Sequence, residues 1–552
     1  MGSSQHYRFH KLSTVQPNSS TLETLQKLKK LQNLVQQSKV AAANIRQVIK
    51  ALDKVAAQAG QPFLFSKCLE INERLVRNTL ARCDDVKYRT FRAGQAKALL
   101  VYINGLTDTN KLETNVIDCL TSRLDRNQLF NSVDEVADCL ITAAHVSIIT
   151  KPTEVITNIL IGNCLLVIDG FSDVLVIDSA KYEKRQISKA ENEDASKGPH
   201  DSFNETLSDN IALVRRRTKD SDLKVEILEI GARTKTSVAL LYIDDLVKPG
   251  LVDEVRNQLL AIRIDMVILA ANIEEFLTNQ VWNPFPNVLA TERPDKTVAG
   301  LYDGRLSIII DNSPSVLILP VSLQDFMQSV DDYTTRPSVA SLIRFSRYIS
   351  AFLAIFLPAL YICVVAYHPG MIPSGLSFFI AELRAKTPFP ASIEALLMEA
   401  LLEIFQEAII RLPQKLSAAA GVVGALVIGT TVVEAALANA LLVVVVATTG
   451  LASFCMPSYT FATALRVFRI PALVAAATLG LYGVAIFFVV MIVYLCSLHS
   501  YGESYLGDLF DITLLEDWKD GLLRFPAKFL KSRPKRLGTI DKTRKGDTSG
   551  KS

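Results

Sequence analysis

The chain has 552 residues, enough for several folding units, and its net charge of +3 is close to neutral. This balance points to no nucleic-acid partner. Hydrophobic residues make up 49% of the chain, and charged residues are dense before Arg347 but sparse from 348 to 501. The distribution predicts an α/β soluble N-terminal half followed by an all-α polytopic membrane domain.

Catalytic and metal-binding motifs are missing from the sequence. The eight cysteines include no CxxC pair, and the six histidines show no metal-ligand spacing. No GxSxG, P-loop, GxGxxG or HExxH motif occurs. We therefore expect no enzyme, no cofactor and no metal. The polar first sixty residues do not resemble a signal peptide, so we expect the N-terminal half to stay cytoplasmic.

Residues 1–60 are predicted to form a polar start followed by amphipathic helices, because Leu22, Leu25 and Leu28 recur at helical spacing. After them, two stretches of the chain repeat. Residues 98–120 resemble residues 238–259, each with a strand that ends in Tyr-Ile before a turn and a helix.

The second repeat aligns residues 161–178 with residues 303–320 without gaps, and each copy is predicted as strand, turn and strand. Asp169 and Asp311 occupy equivalent positions in it. Such a pair suggests metal binding, but an aspartate that opens a hairpin turn is the ordinary structural explanation. The sequence thus predicts two tandem related α/β domains, residues 61–180 and 205–335, joined by a charged linker at 181–204.

The apolar stretches of the predicted transmembrane helical domain, residues 345–500, are long enough for membrane-crossing helices. Residues 348–367 fit one crossing, although Pro358 lies inside; a proline is tolerated where neighbours satisfy the carbonyl it frees. Residues 471–498 fit another. Residues 418–454 are too long for one crossing. They predict two helices that meet near Asn439, or one long tilted helix with an interfacial piece.

Basic residues before the first crossing and in the tail, residues 501–552, predict that both ends are cytoplasmic. The tail is either a solvated or a lipid-facing run of charge. Four crossings satisfy an even count but place Arg466 and Arg469 outside, against the positive-inside rule. If residues 391–412 and 371–383 also cross, the count is six and these arginines return inside. Both counts stay open.

Six motifs occur in an order typical of one protein family. They are FNETLSDNIALVRRR (203–217), TKTSVALLYI (234–243), FPNVLATERPD (285–295), LYDGRLSIIIDNSP (301–314), LPALYICVVAYHPGMIP (357–373) and EIFQEAIIRLP (403–413). Over about residues 85–510 the chain resembles the A subunit of the GerA-type spore germinant receptors. The stage V sporulation paralogue belongs to the same family.

The resemblance implies an integral protein of the spore inner membrane that works with a transporter-like B subunit and a lipoprotein C subunit. It implies a homo-oligomeric ring, a pentamer, that forms a nutrient-gated channel for monovalent cations in the lipid membrane. Two alternatives stay open. One is the sporulation-stage ion channel that amplifies germination without its own nutrient. The other is a non-conducting scaffold that couples the B subunit to other machinery. The extra segment before Phe63 favours the receptor subunit.

The chain departs from the family pattern in the membrane half. Gln406 and Ile409 stand where the family has an arginine and a glycine nearby. The usual Gln-Ala-Ala-Val stretch reads Thr-Thr-Val-Val-Glu here, which places Glu434 within a predicted crossing. The fold expectation is unchanged by these departures. Glu434 becomes a candidate helix-end or gating residue.

Residues 391–412 hold the sharpest candidate site. At 100° per residue, Glu399, Glu403 and Glu407 fall within about 80° of one another on a helix. Arg411 continues the row and is placed for an i,i+4 pair with Glu407. An interfacial amphipathic helix is the ordinary alternative. Carboxylates at membrane depth are costly unless they face water or partners, so we predict that the three glutamates line an ion path in the ring, with Arg411 at the helix end.

The TERPD motif, residues 291–295, is the second candidate site. It follows Phe285-Pro286 and precedes a strand in the domain nearest the membrane. Arginine makes planar bidentate pairs with carboxylates that lysine cannot reproduce. We predict that Glu292 and Arg293 join an intersubunit or interdomain network; a rigid turn is the alternative.

Overall fold

The computed structural model describes residues 65–122, 132–139, 145–181, 197–278, 282–411, 429–506 and 519–544, with Phe130, Glu193, Gln280 and Gly421. The predicted segment 1–60, much of the linker 181–204 and the last residues of the tail lie outside this description. Residues 66–149 and 153–552 belong to one unit of the structure.

The first α/β region contains a five-stranded antiparallel sheet in the order β1-β2-β4-β5-β3. Its elements are α1 (Leu69–Thr79), β1 (Val86–Ala93), β2 (Ala96–Ile103), α2 (Thr109–Leu112), a π-helical turn (Glu113–Ile117), α3 (Asp118–Ser122), α4 (Val133–Cys139), β3 (Val146–Ile149), α5 (Pro152–Ile161), β4 (Cys164–Ile168) and β5 (Val174–Ile177). All residues of β4 and β5 are buried, so these strands form the centre of the first core.

The second α/β region contains another five-stranded antiparallel sheet, in the order β6-β7-β9-β10-β8. Its elements are α6 (Leu207–Arg217), β6 (Leu223–Ile230), β7 (Thr236–Ile243), α7 (Leu251–Ala261), α8 (Ala270–Leu277), β8 (Leu289–Thr291), α9 (Pro294–Tyr302), β9 (Leu306–Ile310), β10 (Val316–Leu319), α10 (Leu323–Met327) and α11 (Asp331–Thr334).

The two sheets have the same strand order and the same register. Ala98 of β2 pairs with Ile168 of β4, and the equivalent Val238 of β7 pairs with Ile310 of β9. Residues at equivalent positions therefore pair with equivalent partners on the neighbouring strand in both copies. The predicted pair of related α/β domains is confirmed; the residue numbers proposed for their boundaries stay predictions.

The repeated aspartates hold the start of a helix in each copy. The Oδ1 atom of Asp169 accepts the amide of Leu69 at 3.0 Å, and Oδ1 of Asp311 accepts the amide of Leu207 at 3.1 Å. These amides belong to the first turns of α1 and α6, whose N–H groups have no partner within the helix. Among the described residues, no group of three or more potential ligands is placed to hold a metal.

We expect Asp311→Ala and Asp169→Ala to destabilise the protein by similar amounts, about 1 kcal/mol each, because each removes an acceptor from a helix start. Chemical denaturation of the full chain in detergent measures the loss. Hydrogen exchange should locate it at α6 in the first variant and at α1 in the second. Asp173→Ala, in the hairpin turn after β4, is the control. Equal exchange of both helices in all three variants would contradict the assignment.

A buried ion pair joins the two α/β regions. The Arg215 guanidinium of α6 donates to both oxygens of Asp85 at 2.7 and 2.9 Å, and both side chains are almost fully buried. Burial opposes the charged form of Arg215, but the Asp85 carboxylate outweighs this effect and raises the pKa of Arg215. Nearby, the amide of Asp84 donates to the Val225 carbonyl at 2.9 Å, so the first region adds a short segment to the edge of β6.

The C-terminal half of the chain is helical. Its elements are α12 (Pro337–Ile362, continued by a π-helical turn at Cys363–Tyr367), α13 (Ser374–Arg384), α14 (Ala391–Arg411), α15 (Ala440–Phe454) and α16 (Tyr459–Ser497). Among the described residues, two helical stretches are long and apolar enough to cross a membrane, Pro337–Tyr367 and Tyr459–Ser497, and α15 is a shorter apolar helix. The predicted apolar helical half is confirmed, while the number of crossings stays a prediction.

The helices agree with the prediction near Asn439 and differ from it in the last predicted span. Asn439 caps α15, because its Oδ1 accepts the Leu442 amide at 2.9 Å. The division near Asn439 is therefore confirmed, although residues 422–428 of the preceding segment lie outside the description. The last predicted span begins earlier, at Tyr459, and is broken at Gly480, whose φ of 59° and ψ of −137° are not helical. A side chain at Gly480 would meet the Tyr367 ring at 3.0–3.3 Å.

The C-terminal segment, residues 519–544, contacts the second α/β region. The carboxylate of buried Asp325 accepts from Arg305 at 2.7 Å and from Arg536 of this segment at 3.2 Å. Burial by itself would raise the pKa of Asp325, but the two guanidinium groups hold it well below its ordinary range. The ionised Asp325 therefore fixes this part of the tail to the domain.

Candidate functional site: charged side chains among the apolar helices

Arg469 of α16 is fully buried and contacts each of the three helices packed around it. Its Nε donates to the Ala354 carbonyl of α12 at 2.7 Å, and one Nη donates to the Ser453 hydroxyl of α15 at 2.7 Å. The other Nη forms an ion pair with Glu399 of α14. One guanidinium therefore joins four helices.

The bond from Arg469 to α12 replaces a missing helical one. Pro358 lies inside α12 and has no N–H, so the carbonyl four residues before it, that of Ala354, loses its usual donor. The Arg469 Nε occupies this acceptor. The expectation that a neighbour satisfies the carbonyl freed by Pro358 is confirmed.

Arg466 lies one helical turn before Arg469 and contacts α14 at a second point. Its Nη1 donates to Glu403 at 3.1 Å and to the Gln406 side-chain oxygen at 3.0 Å. Arg466 and Arg469, the two arginines that a count of four crossings would place outside, are thus both paired with α14. Their ion pairs differ in burial: the Glu399 side chain is 8% exposed, whereas that of Glu403 is 51% exposed.

The three predicted ion-path glutamates occupy two environments. Glu399 turns inward, and its second carboxylate oxygen is buried without a hydrogen-bond partner in the described part of the chain. Glu403 and Glu407 lie on the uncovered side of α14. Glu407 pairs with Arg411 at 2.6 Å as the i,i+4 spacing predicts, and both side chains are exposed. Lining of an ion path stays a prediction for all three.

A second polar cluster fixes the other end of α14. Buried Glu394 accepts from the Asn439 amide at 2.9 Å and from the Thr387 hydroxyl at 2.6 Å. Asn439 also donates to the Tyr361 hydroxyl at 2.7 Å. The candidate Glu434 is exposed in a helical turn at residues 429–434, and its gating role stays a prediction.

Arg293 of the TERPD motif is buried and is bound within its own chain. It pairs with Asp295 at 2.9 Å and donates to the carbonyls of Glu193 and Pro199 at 3.1 and 2.9 Å. It thereby holds the end of the linker region on the second α/β region. The motif does not lead directly into a strand as expected, because Pro294 begins α9 and β9 follows later. The interface role of Glu292 and Arg293 stays a prediction.

The base of α12 carries a further cluster that sequence reasoning missed. Asp332 of α11 is buried and accepts from Arg344 at 2.9 Å and from Arg347 at 2.8 and 2.9 Å. Arg347 also donates to the Met327 carbonyl at 2.9 Å. In the sequence, the two arginines indicate only that the start of the first crossing is cytoplasmic. Their shared partner Asp332 is visible only in the structure. This cluster joins the second α/β region to the first long apolar helix.

Comparison with known proteins agrees with this architecture. Residues 74–536 match the family model described as Bacillus/Clostridium GerA spore germination protein. The chain belongs to the GerA spore germination family. The resemblance stated from the motifs is thereby confirmed.

Individual proteins match over different shares of the chain. Spore germination protein B1 of Bacillus subtilis is 35% identical over 86% of this chain and 98% of its own length. Uncharacterized membrane protein YfkQ of the same organism is 35% identical over 82% of this chain and 88% of its own. The crystal structure of the N-terminal domain of the A subunit of the Bacillus megaterium spore germinant receptor GerK3 matches with 27% identity. It covers 47% of this chain and 97% of that one, with a TM-score of 0.38.

Proposed function

We propose that this GerA-family chain is the A subunit of a nutrient-responsive spore germinant receptor and forms an oligomeric cation channel in the spore inner membrane. The observation that supports the channel is the uncovered acidic side of α14. Glu403 and Glu407 are 51% and 58% exposed on a helix packed among apolar helices. Each of the two pairs with an arginine of its own chain, Arg466 or Arg411, and more than half of each side chain remains open to water in a path beside the helix.

The packing of α14 suits a pore-lining helix. Glu399 and Glu394 attach its inner side to neighbouring helices, so the opposite side can face a water-filled path without loosening the bundle. One such helix per subunit of a homo-oligomeric ring, a pentamer, places rings of carboxylates along a pore, which favours cations. Ile404, 68% exposed and about 60° around the helix from Glu407, supplies an apolar constriction. A transporter-like B subunit and a lipoprotein C subunit complete the receptor, and nutrient binding opens the path for monovalent cations.

Neutralising the uncovered carboxylates tests the channel. In liposomes, Glu403→Gln/Glu407→Gln should lower the cation-over-anion permeability roughly tenfold, because the rings no longer concentrate cations. Ring assembly, followed by cross-linking, should stay intact, since both side chains are exposed in the single chain.

The matched control is Glu382→Gln, an exposed glutamate of α13 in the same half of the chain. It should leave selectivity unchanged. Glu399→Gln should lower stability, because that carboxylate pairs with buried Arg469. Parental selectivity in the double variant would exclude α14 as the pore-lining helix, and absence of any conductance in the parent would favour the non-conducting scaffold.

A further inference from the structure

In the C-terminal segment, residues 519–544, two arginines and the two lysines between them have different environments. The arginines bind the folded chain: Arg524 donates to the Thr335 carbonyl at 3.2 Å, and Arg533 donates to the Tyr302 carbonyl at 2.8 Å. Between them, Lys528 and Lys531 are exposed and form no ion pair with any described residue. The turn between the two arginines is thus held at both ends, and its own cations remain available.

The same turn exposes large aromatic side chains. Phe529 is 64% exposed and Phe525 is 38% exposed, beside the short 3₁₀ helix Ala527–Phe529. The Phe529 amide donates to the Pro526 carbonyl at 2.9 Å, so the turn has a defined backbone. Exposed aromatic rings next to unpaired lysines combine an apolar surface with positive charge.

The turn lies beside the start of the first long apolar helix. The Arg524 amide donates to the Ser341 hydroxyl of α12 at 3.0 Å, and this hydroxyl donates to the Arg524 carbonyl at 3.2 Å. On the following residues of α12, Leu342 is 69% exposed and Phe345 is 52% exposed. The turn is therefore attached to a helix that is long and apolar enough to cross a membrane, at a point where that helix also exposes apolar side chains.

We propose that residues 525–531 form an interfacial anchor that docks on the anionic lipid surface where α12 enters the membrane. Phe525 and Phe529 enter the boundary between headgroups and acyl chains, and Lys528 and Lys531 bind lipid phosphates. A protein partner fits this surface less well, because lysine is depleted in the cores of protein interfaces. The inference rests on the proposed membrane placement of α12.

Fluorescence quenching by brominated lipids tests the anchor in the full-length chain reconstituted in vesicles. The two native tryptophans, Trp282 and Trp518, are first replaced by phenylalanine. A single tryptophan is then introduced as Phe529→Trp in the turn, as Phe352→Trp on the apolar part of α12, or as Ile71→Trp on the exposed surface of α1. Phosphatidylcholine brominated on its acyl chains is used with and without phosphatidylglycerol.

We expect strong quenching of Phe352→Trp in both lipids and none of Ile71→Trp. Phe529→Trp should be quenched more when phosphatidylglycerol is present. Each lysine near an anionic leaflet contributes about a fivefold factor to binding, so Lys528→Gln/Lys531→Gln should weaken docking by up to about thirtyfold and remove its dependence on phosphatidylglycerol.

Three results would overturn the anchor. If Phe352→Trp is quenched but Phe529→Trp is not, the anchor fails while the membrane placement of α12 stands. If neither is quenched, the membrane placement fails as well. If Phe529→Trp is unquenched but its emission is shifted to the blue, protein covers the turn, and a second copy or another subunit is its partner. If quenching of Phe529→Trp is the same with and without phosphatidylglycerol, and the same after Lys528→Gln/Lys531→Gln, the lysines do not bind lipid phosphates and the electrostatic part of the proposal is wrong.

Discussion

Replacing Arg469 by glutamine should lower the free energy of unfolding by about 3–5 kcal/mol, the range measured when one partner of a buried ion pair is removed. The substitution leaves the Glu399 carboxylate buried without its cation and the Ala354 carbonyl without its donor. Thermal unfolding of the full chain in detergent measures the loss.

Arg466→Gln is the matched control one turn earlier on α16. Its partner Glu403 is half exposed, so the expected loss is under about 1 kcal/mol. Equal losses in the two variants would show that the buried pair does not hold the bundle. Removing both charges, in Glu399→Gln/Arg469→Gln, should recover part of the stability, because no unpaired charge is then left in the interior.

Pro358→Ala tests the third contact of Arg469. An alanine at this position restores the N–H that the Ala354 carbonyl normally receives in a helix. In the Pro358→Ala background, Arg469→Gln should lower the free energy of unfolding by about 1 kcal/mol less than it does in the parent chain. This difference is the contribution of one hydrogen bond. Additive effects of the two substitutions would mean that the Arg469 Nε bond to Ala354 contributes nothing to stability.

Local patterns in the sequence predicted much of the fold. The gapless repeat of residues 161–178 at 303–320 predicted equivalent hairpins, and the structure gives their strands the same register. Residues 418–454 are too long for one crossing and predicted two helices that meet near Asn439, and in the structure Asn439 caps the second of them. These signals act over a few residues, so one sequence is enough to read them.

The candidate site was harder to predict, because side-chain partners depend on how helices rotate against one another. A helical wheel groups Glu399, Glu403 and Glu407 within one sector. The packing of α14 nevertheless directs Glu399 inward and leaves the other two uncovered. An arginine within the apolar half of the chain was the available signal that Arg469 needed a partner. The identity of that partner, 70 residues away, required the structure.

Asp332→Asn should have an effect as large as Arg469→Gln, about 3–5 kcal/mol, because a neutral amide cannot balance the two buried guanidinium groups of Arg344 and Arg347. The amide also presents N–H donors toward groups that only donate. We expect a lower unfolding temperature of the full chain and faster hydrogen exchange at residues 331–347, where α11 meets α12.

A graded series around Asp332 separates loss of charge from loss of geometry. Arg347→Lys keeps the positive charge but gives up the two parallel bonds of the guanidinium to Asp332, so it should cost less, about 1–2 kcal/mol. Asp265→Asn removes a carboxylate from a pair that is 3.8 Å long and exposed on both sides, and it should change stability by under about 0.5 kcal/mol. If Asp332→Asn unfolds and exchanges like Asp265→Asn, this cluster does not fix α12 to the second α/β region. If it is destabilised in detergent but keeps the proposed conductance in liposomes, the cluster stabilises the fold and is not needed for that conductance.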